Sequence, residues 1–414
     1  MVKKIKVNRL RPGMYIHDLN CSWMDHPFYG SSLKVKNDGI IEKIIRFGIR
    51  EVYIDTDKGL DVAEDADTEQ STGEKADKLH THEEQQNDAG DDSINFDDIR
   101  TVTVGEEILK AKAIREEAIL TVQKVMNDIK SGNKINKDNV IHTVDDMLVS
   151  ILRNKNALAG LGMLRKADDY LYNHSINVCT LMVSFGKFLG FDPQLLREIG
   201  IGSLLHDIGT MKISSDILNK KTPLSEEEYG EIKKHVQYGR KILEETEGIT
   251  ETSIITAYHH HERLDGSGYP NCLKGDKISY AGQAIAIIDV YDALTTKKCY
   301  RRKIPPTQAL EMIYEWSSTQ FNRELVQKFI RCIGIYPVGS LVRLKSGLVG
   351  VVVDHSEENL LQPVVRVIYN KRAERYISVP YDIDLSLEIE KESGERIAGY
   401  ELPEELNILT EMYL

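Results

Sequence analysis

Between residues 102 and 333, apolar residues recur every three or four positions in stretch after stretch. That period belongs to amphipathic α-helices, and it makes a helical bundle the expected core of the chain. "EEILKAKAIREEAILTVQKVMNDI" predicts a long helix that connects modules or pairs with a second subunit. "NKDNVIHTVDDMLVSILRN" predicts another. The helices after these share an unusual trait: each carries a histidine or aspartate on its apolar face.

In "YLYNHSINVCTLMVSFGKFLG", His174 falls in the stripe made by Leu171, Val178, Leu181, Met182 and Phe185. The next helix opens with Asp192 as N-cap and Pro193 at its first position. There Leu195, Ile199, Gly202 and His206 share one face, and Asp207 follows at once. A buried carboxylate beside a buried imidazole is costly unless a metal or a proton compensates. "LSEEEYGEIKKHVQYGRKIL" begins with a capping box, Ser225 to Glu228, and puts Glu228, Ile232, His235, Gly239 and Ile242 along one face. "AGQAIAIIDVYDALTT" carries Asp289 and Asp292 one turn apart in a nearly uncharged helix. Finally, "HHHERLDGSGYP", residues 259 to 270, sets three histidines and two carboxylates before a glycine-rich turn.

Each position is ambiguous alone, since a histidine in an apolar stripe is more often a hydrogen-bonded core residue. Together, four helices and a loop that aim His or Asp inward meet the need of a two-metal hydrolase. Such a site requires several ligands per ion and a carboxylate shared by both. Asp207 suits the shared position. The mixed N/O ligand set favours Fe, Mn, Ni, Co or Zn over copper or an iron–sulfur cluster.

The flanks differ from this core. Residues 4 to 56 read as a small α/β module: strand-like patches around Pro12-Gly13, a short helix in "IIEKIIRFGI" and a strand in "REVYID". Residues 61 to 99 hold 14 acidic and 2 basic residues, which equals the whole net charge of −12, so the rest is neutral. That segment reads as a disordered linker. After about residue 339, β-branched runs broken by Gly and Asn predict a small β-rich element. The expected divisions are 1–60, 61–101, a connecting helix over 102–134, the helical domain over 135–333, and 334–414. No basic stripe points to long nucleic acid. The five scattered cysteines, without CxxC, and the lack of a long apolar run or signal core lead to the expectation of a cytoplasmic protein with no membrane partner.

The order His174, His206-Asp207, Asp289 resembles the HD phosphohydrolase superfamily. His235, His260-His261-Glu262, "DGSGYP" and "DVYDALTTKKCYR" resemble its HD-GYP subfamily over about residues 135 to 333. "RPGMYI" and "HPF" are similar to a small domain of unknown function that often precedes HD-GYP domains. The resemblance implies an HD-type helical core and hydrolysis of cyclic dinucleotides, above all cyclic di-GMP, to the linear dinucleotide and GMP. It implies two divalent transition-metal ions, Fe or Mn first and Ni, Co or Zn next, with a hydroxide between them attacking phosphorus. Carried over by residue, His174, His206, Asp207 and Asp289 would hold one ion, and Asp207, His235, His260 and His261 the other. His259 is then surplus. Arg301 and Lys303 would face substrate phosphates, with Asp292 and the GYP-loop residues Gly268, Tyr269 and Pro270 near the substrate or a diguanylate cyclase partner. A homodimer is a further expectation.

Two departures stand out. Some members carry a carboxylate where this chain has Tyr170, so two ions are expected and not three. The lysine usual after HDIG is Thr210 here, with Lys212 two residues on. Thr210 and Lys212 therefore join Asp207 and His206 as candidate catalytic residues. Thr210→Lys is expected to raise turnover where the pocket has room. The same departure leaves open a module that mainly senses the ligand or docks a cyclase. A mononucleotide nucleotidase and a hydrolase preferring cyclic GMP-AMP are the other readings.

Overall fold

The computed structural model describes residues 2–18, 33–46, 50–60, 99–162, 170–218, 220, 222–296, 304–355, 359–388 and 394–414. Residues 61–98 of the acidic linker and the two basic candidates Arg301 and Lys303 lie outside the described residues.

At the N-terminal end, β1 (Val2–Lys6), β2 (Tyr15–Asp18), β3 (Leu33–Lys34), α1 (Asp38–Arg46) and β4 (Glu51–Asp55) form the small α/β module. Its sheet is antiparallel in the order β1-β4-β2-β3. Met14, Ile16, Val35, Ile44, Val52 and Ile54 fill its interior.

The helical domain runs through α2 (Val104–Lys130), α3 (Lys137–Arg153), α4 (Lys155–Gly162), α5 (Tyr170–Phe188), α6 (Pro193–Leu204) and the short α7 (Ser215–Leu218). It continues with α8 (Glu226–Lys233), α9 (His235–Glu244), α10 (Glu251–Tyr258), α11 (Tyr280–Thr295), α12 (Pro306–Trp316) and α13 (Arg323–Ile333). The start signals act as the sequence predicts. Asp192 accepts from Leu195 N, and Ser225 with Glu228 closes a capping box. α2 is more than the expected connector. It buries Ala111, Ala118, Val122, Met126 and Ile129 against α3, α4 and α5, and so belongs to the core.

Two local expectations need correction. The stretch around His235 is two helices, because α8 ends at Lys233 and α9 begins at His235. Glu228 therefore serves the cap of α8 and not an inward face. His206 lies just past the end of α6, in the turn that leads into a 3-10 helix over Ile208–Lys212.

After α13 come β5 (Leu341–Leu344), β6 (Leu348–Asp354), β7 (Val364–Asn370), β8 (Arg375–Asp384) and β9 (Ile397–Tyr400). They form an antiparallel sheet in the order β8-β7-β6-β5-β9. Alternate residues supply its two apolar faces, Val342, Leu344, Val352 and Val365 on one and Leu341, Val349, Val351 and Ile368 on the other. Asn156 Nδ2 donates to Asp354 Oδ1 at 3.0 Å, and the His355 ring meets the Cys332 carbonyl at 3.2 Å, tying this sheet to the helices.

Candidate metal centre

Three of the site's histidines stand just beyond helix ends, where carbonyls lack intrahelical donors. His206 follows α6, His235 follows α8 and His260 follows α10. Each ring uses Nδ1 to reach the carbonyl three residues back: Ser203 at 2.8 Å, Ile232 at 2.7 Å and Ala257 at 2.5 Å. A carbonyl only accepts, so Nδ1 carries a proton in all three, and in the neutral ring each Nε2 presents a lone pair. The competition for the Ile232 carbonyl accounts for the break between α8 and α9.

All three lone pairs converge on Asp207. Its Oδ1 lies 3.3 Å from His235 Nε2 and 3.7 Å from His260 Nε2. Its Oδ2 lies 3.4 Å from His206 Nε2 and 3.9 Å from His174 Nε2. One carboxylate thus faces two sets of imidazoles, one with each oxygen. Asp289 stands across the site, with Oδ1 3.1 Å from His174 Nε2 and Oδ2 3.7 Å from His261 Nδ1.

These groups fit cations. His235 Nε2 and His260 Nε2, both lone-pair atoms, lie 3.3 Å apart. His206 Nε2 is buried without a hydrogen-bond partner. Buried acceptors that face one another and a carboxylate call for a positive charge between them. Among the described residues, two groups have donor atoms close enough to share an ion, namely Asp207 with His235, His260 and His261, and His174 with His206 and Asp207. The donors are nitrogen and oxygen only, with no thiolate, a set suited to divalent Fe, Mn, Co, Ni or Zn.

The electrostatics agree with this arrangement. Burial raises the Asp207 carboxyl, but the surrounding imidazoles, His206 first, outweigh it and hold it well below the usual carboxylate range. Burial disfavours a charged His174, yet its hydrogen bonds to Asp289 and Asp292 prevail and raise it to about 9, so without an ion this ring holds a proton that an incoming cation must displace. Burial is the main cause that lowers His260 and His261, which keeps both rings neutral and able to ligate.

Behind the His174 ring stands Asp292. Its Oδ2 lies 2.7 Å from His174 Nδ1, and its Oδ1 accepts from Asn177 Nδ2 at 3.3 Å. The side chain is buried and bonded to His174 and Asn177, an arrangement that positions the His174 ring. His259 caps α10 and turns away from the centre, with Nδ1 3.2 Å from Ser279 Oγ. Burial lowers its pKa to about 4, so it is neutral there.

The glycine-rich turn folds back onto the histidines. Glu262, buried, accepts from Asn271 N at 2.8 Å and Leu273 N at 2.9 Å. A Cβ on Gly268 would sit 2.4 Å from Arg263 N, so only glycine allows this approach. Tyr269 then lays its ring against His261, centroids 4.6 Å apart, and forms a wall of the site next to the partly buried Pro270. Tyr170 stacks on His174 at 5.5 Å and offers no carboxylate.

Thr210 and Lys212 are both engaged elsewhere. Thr210 is 3% exposed and donates from Oγ1 to the Asp207 carbonyl at 2.6 Å. A lysine there would lose that bond, and its ammonium would start from a buried position. Lys212 Nζ donates to the Ile129 carbonyl at the end of α2, at 3.0 Å.

Sequence reasoning missed the outer groups: Asn177, Asn173 and Arg115, and the carbonyls of Ser203, Ile232 and Ala257. Backbone carbonyls leave no mark in a sequence. Asn173 and Asn177 did leave one, as amides flanking His174 on a mainly buried helix.

Comparisons with known proteins agree with the geometry. Residues 2–140 match the Domain of unknown function (DUF3391), and residues 160–325 match the HD domain. A Pseudomonas aeruginosa protein named cyclic di-GMP phosphodiesterase PA4108 is 33% identical over 100% of this chain and 96% of its own length. A Borreliella burgdorferi protein named cyclic di-GMP phosphodiesterase PdeB is 29% identical over 48% of this chain and 52% of its own. A Vibrio cholerae protein named 3'3'-cGAMP-specific phosphodiesterase 1 is 32% identical over 40% of this chain and 38% of its own.

Proposed function

Because the chain belongs to the HD-GYP family of HD-domain phosphodiesterases, we propose that it hydrolyses cyclic di-GMP to the linear dinucleotide and GMP. One observation carries this reading beyond family membership: the Asp207 carboxylate divides its two oxygens between two sets of inward-facing imidazoles. His174, His206, Asp207 and Asp289 would hold one divalent ion, and Asp207, His235, His260 and His261 the other. Fe or Mn is the first expectation for the metal, with Ni, Co or Zn next. When bound, the pair supplies positive charge to the phosphoryl oxygens and lowers the pKa of water.

The chain's own residues do the rest. The Ser203, Ile232 and Ala257 carbonyls lock three imidazoles in the ligating tautomer. Asp292 holds the fourth, His174. Tyr269 covers His261 and shields that side from water. Arg301 and Lys303, from the sequence, are the residues we assign to the substrate's phosphates, since a guanidinium pairs well with them.

A second reading has support from the Vibrio relative, whose name specifies 3'3'-cGAMP. Protein purified without air, analysed for metal and given cyclic di-GMP or cyclic GMP-AMP in single-turnover assays, tests both. Faster cleavage of cyclic di-GMP with two ions per chain supports the proposal. Preference for cyclic GMP-AMP replaces the substrate. Ligand binding without cleavage at full metal content leaves a sensing or cyclase-docking module.

A further inference from the structure

We propose that Arg115, on α2, is a positioning residue of the metal centre that acts through Asn177 and Asp292 on His174. The inference rests on the two-metal reading above. It starts from a buried guanidinium far from the motif in sequence. Arg115 donates from Nη1 to Asn177 Oδ1 at 2.8 Å and from Nη2 to Asn173 Oδ1 at 2.6 Å. The two asparagines sit one turn apart on α5 and flank His174.

The consequence concerns the orientation of an amide. An asparagine side chain can present either its oxygen or its NH2 in a given direction. A guanidinium has only donors, so it draws the Asn177 oxygen towards itself and turns the NH2 the other way. There the NH2 donates to Asp292 Oδ1 at 3.3 Å and to the Gly162 carbonyl at 3.3 Å. Asp292, anchored at one oxygen, offers the other to His174 Nδ1 at 2.7 Å. That contact fixes the His174 tautomer and aims Nε2 at the ion site. Without Arg115 the amide is free to turn over, place its oxygen against the Asp292 carboxylate and loosen His174. The centre is thus braced by α2 (Val104–Lys130), the helix that opens the helical domain.

The test uses the full-length chain and Co2+ as the probe. Binding of both ions is measured by equilibrium dialysis, the ligand field by visible absorption, and the thermal midpoint in parallel. Arg115→Met keeps the apolar stem and removes the fork. It should weaken one of the two ions about 10-fold, within the range for partners that orient a ligand, and shift one set of Co2+ bands while the other set stays. Arg115→Lys should not restore the site, because a single ammonium cannot hold both amides in the fork geometry. Arg115→Met combined with Asn177→Ala should bind no more weakly than Asn177→Ala alone, since both lie on one path. The proposal is overturned if Arg115→Met lowers only the thermal midpoint with both affinities intact, if Arg115→Lys fully restores binding, or if the two losses multiply. Should Arg115→Met not fold, Asn177→Ala alone still decides it, and unchanged Co2+ binding in that variant overturns the path. A wild-type chain that takes up fewer than two ions refutes the two-metal reading itself, a result distinct from all of these.

Discussion

Asp207 is the residue that faces both sets of imidazoles, and the proposed two-metal centre depends on it. Its two oxygens face different imidazoles, so no other single side chain can take its place. Asp207→Ala should therefore remove both ions and lower turnover by more than the 10–100-fold typical of outer partners. Circular dichroism should show the helices retained, and metal analysis is the deciding measurement; two ions in the variant would refute the shared role. The three adjacent histidines make a second comparison. His260 and His261 point at Asp207 and Asp289, whereas His259 pairs with Ser279 at the start of α11. His260→Ala and His261→Ala should each lower metal content. His259→Ala should leave it unchanged and cost only about 1 kcal/mol of stability for the lost hydrogen bond. A larger metal loss from His259→Ala would mean that the ligands are displaced by one residue.

At the scale of elements, the centre is built from helix ends. α6, α8 and α10 stop where a histidine ring takes over a carbonyl, so ending the helix and aiming the ligand are one event. The 3-10 turn that carries Asp207 must then lie almost on the backbone of α9. Gly209 makes this possible: a Cβ there would fall 1.9 Å from the His235 carbonyl oxygen and 2.4 Å from Gly239 N. Both atoms belong to the backbone and cannot swing aside. Gly209→Ala should separate Asp207 from His235 and destabilise the fold by at least about 3 kcal/mol, the upper range for overpacking. Denaturant unfolding together with metal content checks this, and a stable, fully loaded variant would contradict the packing.

For the whole molecule, the proposed ion sites would act as cross-links. Their donors come from α5, α11 and the turns after α6, α8 and α10, elements far apart in the chain. An ion that binds only the folded state stabilises it by mass action, about 2.7 kcal/mol at 100 times Kd. Removing metal with a chelator should lower the midpoint of thermal unfolding, and adding back Mn2+ or Fe2+ should restore it. Equal midpoints with and without metal would refute a structural contribution. Among the described residues, no helix is long and apolar enough to cross a membrane.

The sequence by itself determined the helical core, the β-rich tail, the small α/β front and the ring of inward-facing histidines and aspartates. Each of these follows from local periodicity, capping residues and the cost of burying charge, all readable from neighbours along the chain. Tertiary structure alone decided how those residues are used. Asp292 braces His174, Thr210 ties down its own turn, Lys212 caps α2, and Arg115 reaches Asn177 from 62 residues away. Their partners are backbone carbonyls or side chains on other helices. Hydropathy does not encode which of several polar groups a side chain meets once the helices pack.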